Sequence, residues 1–363
     1  MDIQGFTPTS RPQTNADVAN PIPAPPEVSA ATPPAFHPKQ ALERSFKSLN
    51  RHLDRMLDCS TDITKALKRL AADGVENITL ADLVEQIQAK RTRSQMWALQ
   101  LRQCGGAMAA CMNALDETRR RQLDGKQEEI LRYLKTCLDK DKPVEIAEAL
   151  DASINSSNDF FEKLLELIDL IKNGYLAGYE HIIAAYSDFF ADFNAEITAQ
   201  MKDWVEGAND GKDVTLDAGA LRAALTRLIE KYSHPNPASV LFPKPGEGGA
   251  SKDEAEKWLK ALSLPASCLK QNTDGTWCVV IDLGPLTTMK NCLPASGGTV
   301  TWDTAKYNQW QNGFNAQEER MKNLLQSLTQ KYSNANSYHD NFNKTLSAHL
   351  NQFADMLRAM LNF

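Results

Sequence analysis

From Tyr307 to the end of the chain an apolar residue returns every seven positions: Tyr307, Phe314, Met321, Leu328, Ala335 and Phe342, then His349, Met356 and Phe363. A second series is mixed: Trp310, Gln317, Leu324, Lys331, Tyr338, Thr345, Gln352 and Ala359. This is a heptad pattern held over about eight repeats. An isolated helix gains nothing from such a seam, so a partner helix must cover it. Asp303 stands where a helix N-cap belongs.

A partner of similar length lies upstream, over 156–206. Its seam reads Phe161, Leu164, Ile168, Ile171, Tyr175, Ile182, Phe189, Phe193, Ile197, Met201 and Trp204, and Ser156 or Ser157 is placed to cap it. Unbroken, it would form a rod of about 75 Å. Gly178 and Ala185 occupy inner positions and would admit a partner backbone. The two helices are expected to pair antiparallel, with the intervening residues inserted at one end.

The rest of the chain divides by composition. Residues 1–38 hold nine of the seventeen prolines and nothing that can bury a core, which predicts a disordered or extended segment. They lack the basic start and apolar stretch of a standard secretory signal. Over 39–142 the pattern is helical. Leu42, Phe46, Leu49, Leu53, Met56 and Leu57 recur at steps of three and four, and Asp73-Gly74 ends that run. Thr79 is placed to cap a second helix with the stripe Leu83, Val84, Ile87, Met96, Leu99, Leu101, Met108, Met112 and Leu115, which Gly105-Gly106 would kink. A further helix carries Ile130, Leu131, Leu134 and Leu138. Pro143 marks a boundary, and the first rod helix falls in 143–206. Gly, Pro, Asn and Asp clusters break up 207–302, which reads as a small mixed α/β insertion. It has helices over 217–232 and 252–262, strands at 277–281 and 299–302, and a hairpin turn at Asn272–Gly275. The second rod helix is 303–363. The fold class is thus mainly α: a long antiparallel coiled coil, an N-terminal helical hairpin and an inserted α/β domain.

The chemistry of an enzyme is not legible. Asn209–Asp213 lacks the glycine and glutamate spacing of a calcium loop, and Gly246-Glu247-Gly248-Gly249 lacks the lysine of a phosphate loop. Six histidines show no ligand spacing, and seven scattered cysteines include no Cys-x-x-Cys pair, so no metal or cofactor is expected. A bridge between Cys268 and Cys278 stays open. A net charge of −6 with a sequence pI near 5.6 disfavours a nucleic-acid partner, and Arg119-Arg120-Arg121 reads as a solvated face. No run approaches the length of a membrane span.

The stretch AKYNQWQNGFNAQEERMKNLLQSLTQKYSNANSYHDNFNKTLSAHL, Ala305–Leu350, resembles the needle-tip proteins of type III secretion systems, in particular the invasion plasmid antigen D (invasin D) family. GYLAGYEHIIAAYSDFFADF (Gly174–Phe193), NDGKDVTLDAGALRAALTRLIEKY, VLFPKPGEGG and AEKWLKALSLPASCLK resemble the same family. The resemblance covers roughly 156–363, and KYSNANS is its most specific piece.

This resemblance implies a protein without enzymatic activity that caps the secretion needle, restrains effector secretion and supports the translocators at host contact. It would be exported through the apparatus from the cytoplasm and would assemble as a ring at the needle tip on the bacterial surface. The N-terminal hairpin would act as a built-in chaperone, covering the surface that meets needle subunits. Needle contact is placed near the C-terminal helix, whose polar face carries Lys331, Ser333, Asn334, Asn336, Asp340, Asn341 and Lys344. A bile-salt site between the coiled coil and its flanking domains is also implied; Tyr175, Tyr179 and Tyr338 are aromatic there and equally serve as core. The rival readings are a cytosolic coiled-coil scaffold and a membrane-inserting translocator of the same machinery.

Overall fold

The side chain of Asp303 accepts a hydrogen bond from Lys306 N at 2.8 Å and starts helix α11, Thr304–Met360, 57 residues long. At 1.5 Å per residue α11 is about 85 Å long. The computed structural model describes residues 37–73, 77–140, 142–156, 159–295 and 297–361. The proline-rich start, Gly74, Ser157 and Phe363 therefore lie outside the described residues. From Pro38 on, the chain is one unit.

The first heptad series of α11 is buried from Tyr307 through Phe342. The second is displaced from expectation by one residue. Trp310 is buried, but below it the inward positions are Leu325, Tyr332, His339, Leu346 and Phe353, not Leu324, Lys331, Tyr338, Thr345 and Gln352. Thr329, Asn336, Asn343, Leu350 and Leu357 are buried as well. Helices pack on α11 from several sides, so its covered face is a broad stripe and not a two-position seam.

The upstream arm starts at Asp159, whose side chain accepts from Glu162 N at 2.9 Å and caps α5, Phe160–Asp169. A π-helix, Leu170–Leu176, follows and leads into α6, Ala177–Glu196. The path holds Asn173 and Gly174, both poor α-helix formers. It ends at Glu196, short of the expected 206, so this arm is about 55 Å long. Phe160 meets Phe353 at 6.1 Å, Tyr175 meets Tyr338 at 6.0 Å and Phe193 meets Phe314 at 6.4 Å. Tyr186 Oη donates to Met321 O at 3.2 Å. The residue numbers run in opposite senses, so the arms form an antiparallel coiled coil.

Helices α1, Pro38–Asp73, and α2, Asn77–Asn113, form the N-terminal hairpin. Its α2 seam differs from the sequence reading. Leu80, Leu83, Ile87, Trp97, Leu101, Cys104, Met108 and Cys111 are buried, whereas Met96 and Leu99 are exposed. Two polar residues, Lys90 and Ser94, occupy the inward positions between Ile87 and Trp97 and break the apolar rhythm. The helix runs through Gly105-Gly106, and a Cβ at Gly105 would stand 3.4 Å from the Phe161 ring. Helix α3, Glu117–Lys140, lays Leu123, Ile130, Leu134 and Leu138 against α11 and α5. A short α4, Ala147–Ile154, follows.

Beyond α6 the chain passes through α7, Met201–Trp204, into two small antiparallel sheets. The first has strand order β1 (Val205–Ala208), β2 (Asp213–Asp217), β6 (Thr299–Asp303), with Asp213 opposite Asp303 and Leu216 opposite Val300. Because β6 runs straight into α11, this sheet ties the two arms together. The β1–β2 turn places Asn209, Asp210 and Gly211 at positive φ, which suits these residue types. The second sheet has order β3 (Val240–Phe242), β5 (Trp277–Val280), β4 (Leu269–Gln271). Its Asn272–Gly275 turn closes through Asn272 N to Thr276 O at 2.8 Å, with Gly275 at φ +87°. Helices α8 (Ala218–Lys231), α9 (Lys252–Ala261) and α10 (Gly284–Asn291) flank the sheets. Gly178 does not face the coiled-coil partner as expected. It faces Trp258 of α9, whose Cη2 lies 2.7 Å from where a Cβ would be. Cys268 and Cys278 are buried and free, so the open bridge is not formed. The fold is mainly α: a long antiparallel coiled coil, an N-terminal hairpin and a small mixed α/β insertion.

Candidate partner-binding site

The seven polar residues singled out on the C-terminal helix do not share one solvent face. Asn334, Asn341 and Lys344 are exposed, and Lys331 and Ser333 are half-buried. Asn336 and Asp340 are buried against the hairpin. The cause is helical geometry: positions 336 and 340 share a stripe with 329, 343, 347 and 350, and α1 and α2 cover that stripe.

Lys90 of α2 is the centre of this contact and is fully buried. Its Nζ donates to Asp340 Oδ1 at 2.6 Å and also to Asn336 Oδ1. Burial pulls the Lys90 ammonium below its ordinary pKa, and the Asp340 charge opposes that pull. Burial likewise pushes the Asp340 carboxyl up, but His339 and Lys90 outweigh it and hold the group below the usual carboxylate range. Beside them the Asn343 amide lies against the His339 ring, Nδ2 at 3.0 Å from Nε2. The other ring nitrogen, Nδ1, lies 3.6 Å from Asp340 Oδ1. Burial lowers the His339 pKa and keeps the ring neutral. Ser94 Oγ lies 3.3 Å from His339 Nε2. Farther along, Asn50 of α1 donates to Asn351 Oδ1 at 3.1 Å and accepts from Ser347 Oγ at 3.2 Å. The hairpin thus meets the coiled coil through a polar ladder inside an otherwise apolar contact.

Sequence reasoning missed Lys90, Ser94 and Asn50. The signal was present for two of them: Leu80, Leu83, Ile87, Lys90, Ser94, Trp97, Leu101 and Cys104 step by threes and fours. A lysine and a serine at inward positions of a heptad mark a specified interface.

A second feature is a cleft of about 530 Å³ lined by Val144, Glu145, Tyr175, Tyr179, Lys257, Lys260, Ala261, Lys331 and Asn334. The π-helix and α6 present Tyr175 and Tyr179 edge to face at 5.5 Å, and Tyr179 Oη donates to Glu145 Oε1 at 2.6 Å. Burial raises both phenol pKa values, so both stay neutral donors. Tyr338 stands behind Tyr175, half-buried, with its hydroxyl 3.5 Å from Leu138 O. Three lysines around an aromatic floor suit an amphipathic anion.

A third feature is Glu180 on α6. It is 7% exposed and lines a cavity of about 230 Å³ with Arg91, His181 and Lys244. Burial raises its pKa to about 7 despite Arg91, Lys90, Lys244 and Lys172 nearby. Among the described residues no group of three or more His, Cys, Asp or Glu is placed to hold a metal. Among them, too, no helix is long and apolar enough to cross a membrane.

The profile of the family described as "Type III secretion systems tip complex components" matches residues 56–361. The chain belongs to this tip-complex family. That family is described as components of a secretion apparatus. This tip-complex chain is 39% identical over 211 residues to the cell invasion protein SipD of Salmonella typhi, covering 57% of this chain and 62% of that protein. It is 36% identical over 211 residues to invasin IpaD of Shigella flexneri, covering 57% and 61%. The alignments therefore span about three-fifths of these relatives. A solved structure from Chromobacterium violaceum, described as a pathogenicity island 1 effector protein, is 27% identical with a TM-score of 0.56. It covers 88% of this chain and 97% of that one. Two of these relatives are named for cell invasion.

Proposed function

We propose that this chain caps the needle of a type III secretion system, controls effector secretion and supports the translocon at host contact. The observation that carries the reading is the polar ladder. The hairpin covers α11 over the region that the resemblance gives to needle contact, and it does so through Lys90, Ser94 and Asn50 with Asn336, Asp340, Ser347 and Asn351. A contact built around a desolvated ion pair is a weak source of stability compared with an apolar one. Such a cover is suited to leaving. Needle subunits would replace it as one helical pair replacing another, a helix-in-groove mode. The hairpin, residues 39–142, is then a self-chaperone. Lys331, Ser333, Asn334, Asn341 and Lys344 would flank the newly opened stripe.

The partners proposed are the needle subunit, further copies of this chain in a tip ring, and the translocator proteins. The protein would be made in the cytoplasm, exported through the apparatus and held on the bacterial surface at the needle tip. Bile salts are the proposed cue. The tyrosine–lysine cleft offers an apolar floor for a steroid and Lys257, Lys260 and Lys331 for its carboxylate.

The deciding experiment deletes residues 1–140 and measures binding of the purified needle subunit. Tighter binding by the shortened chain is expected. Unchanged or weaker binding counts against the displacement scheme.

A further inference from the structure

Lys90 and Ser94 lie one turn apart on the same face of α2, inside a seam that is otherwise apolar. They meet Asp340 and His339, adjacent residues on α11, at 2.6 Å and 3.3 Å. Asn336 accepts a second hydrogen bond from the Lys90 ammonium, and the Asn343 amide packs against the imidazole at 3.0 Å. Asp340 is 7% exposed and Asn343 is fully buried. An apolar stripe would accept any amphipathic helix of suitable shape. This one cannot, because a carboxylate out of water is tolerated only opposite a cation. Single polar residues inside apolar heptads fix register and partner in this way, and they exclude wrong partners more than they add affinity.

We propose that the Asn336–Asn343 stripe of α11 is a recognition surface that selects an incoming amphipathic helix by an ammonium group opposite Asp340 and a hydroxyl one turn later opposite His339. In this structure Lys90 and Ser94 fill those two places, so the hairpin shows the shape of the partner. The occupant is a helix with an apolar heptad interrupted by lysine and, four residues on, serine or threonine. A helix with an unbroken apolar seam is refused. The inference rests on the reading that the hairpin gives way to another helix.

The test uses the full-length chain carrying Lys90→Met, which empties the cation's place. Two labelled peptides copying residues 77–113 are titrated against it, one with the natural sequence and one with Lys90→Met. The natural peptide is expected to bind at least tenfold more tightly, and adding Asp340→Leu to the chain is expected to erase the preference. In parallel, amide hydrogen exchange is followed in the wild-type chain, in Lys90→Met and in the Lys90→Met/Asp340→Leu double variant. Exchange in α2 is expected to rise at least tenfold in the single variant and to return to the wild-type rate or below in the double. Equal binding of the two peptides, binding of neither, a preference that survives Asp340→Leu, or wild-type exchange in the single variant each overturns the proposal. No needle subunit enters these measurements, so their failure is separable from failure of the needle-capping reading.

Discussion

Lys90 and Asp340 are 250 residues apart in sequence and meet at 2.6 Å, with side chains 0% and 9% exposed. One comes from the hairpin and the other from the coiled coil, so their pairing reports hairpin docking. Removing one partner leaves a buried charge alone, at a cost of about 3–5 kcal/mol, whereas replacing both with apolar residues is close to neutral. Urea unfolding of Lys90→Met, Asp340→Leu and the double variant measures this. The two single variants should each be destabilised and the double should recover most of the loss. Additive losses would show that the pair does not act as a unit.

Gly178 and Trp258 set how closely α9 lies on α6. A methyl group at Gly178 would stand 2.7 Å from Trp258 Cη2, inside van der Waals contact. Trp258 cannot simply swing aside, because Phe242 stacks on it at 4.8 Å and Tyr179 at 5.1 Å. Gly178→Ala gains helix propensity but forces this stack apart, for a net loss of about 1–2 kcal/mol. Thermal unfolding should show a lower midpoint for Gly178→Ala. In a Trp258→Phe background, where the ring no longer reaches, the same substitution should be neutral or stabilising.

The parts legible in the sequence are those where one physical requirement acts alone. Tyr307, Phe314, Met321, Leu328, Ala335 and Phe342 repeat because each faces apolar neighbours, and the structure buries all six. Asn272 and Gly275 announce their turn because few other residues adopt its backbone. The α2 seam differs from the sequence reading where Lys90 and Ser94 stand, since following apolar residues alone passes over the lysine and serine that keep its three-and-four step. Met96 and Leu99 took their place in the reading and are in fact 38% and 59% exposed. The second seam of α11 slipped by one residue because its partners are several helices, and the sequence of one helix does not say how many cover it. The candidate site was half legible for the same reason. Asn336 and Asp340 look like surface residues until Lys90, far off in the chain, is brought against them.

The cysteines offer a check on burial. Cys292 is exposed, Cys59 and Cys137 are half-buried, and Cys104, Cys111, Cys268 and Cys278 are buried. Burial pushes the Cys104 and Cys268 thiols up to about 12, which removes the reactive thiolate at neutral pH. Titration of the native chain with a thiol reagent near pH 8 should show one fast group, lost in Cys292→Ser. The four buried thiols should react only on unfolding. Fast labelling located at Cys104 or Cys111 would show that the hairpin opens on the timescale of labelling.

Glu180 gives the folded chain a pH dependence of known sign. Its ordinary pKa is 4.5 and burial raises it to about 7. Between those values the folded chain keeps a proton that the unfolded chain has released. The stabilisation from holding that proton is complete below pH 4.5 and is lost as pH rises through 7. Glu180→Gln removes the titrating group while keeping its shape. Lys90, Arg91, Lys172, His181, Lys244, Tyr332, His339 and Asp340 surround the site in both chains, so their own titrations largely cancel in the comparison. The variant and the wild type should therefore differ little at pH 5. By pH 8 the variant should have gained about 3 kcal/mol relative to wild type, the shift multiplied by about 1.4 kcal/mol per pH unit. Chemical denaturation at a series of pH values between 5 and 8 reads this directly. A difference that stays constant across the series would mean that Glu180 titrates like a solvated carboxylate. The 230 Å³ cavity beside it would then have to admit enough water to hydrate the charge.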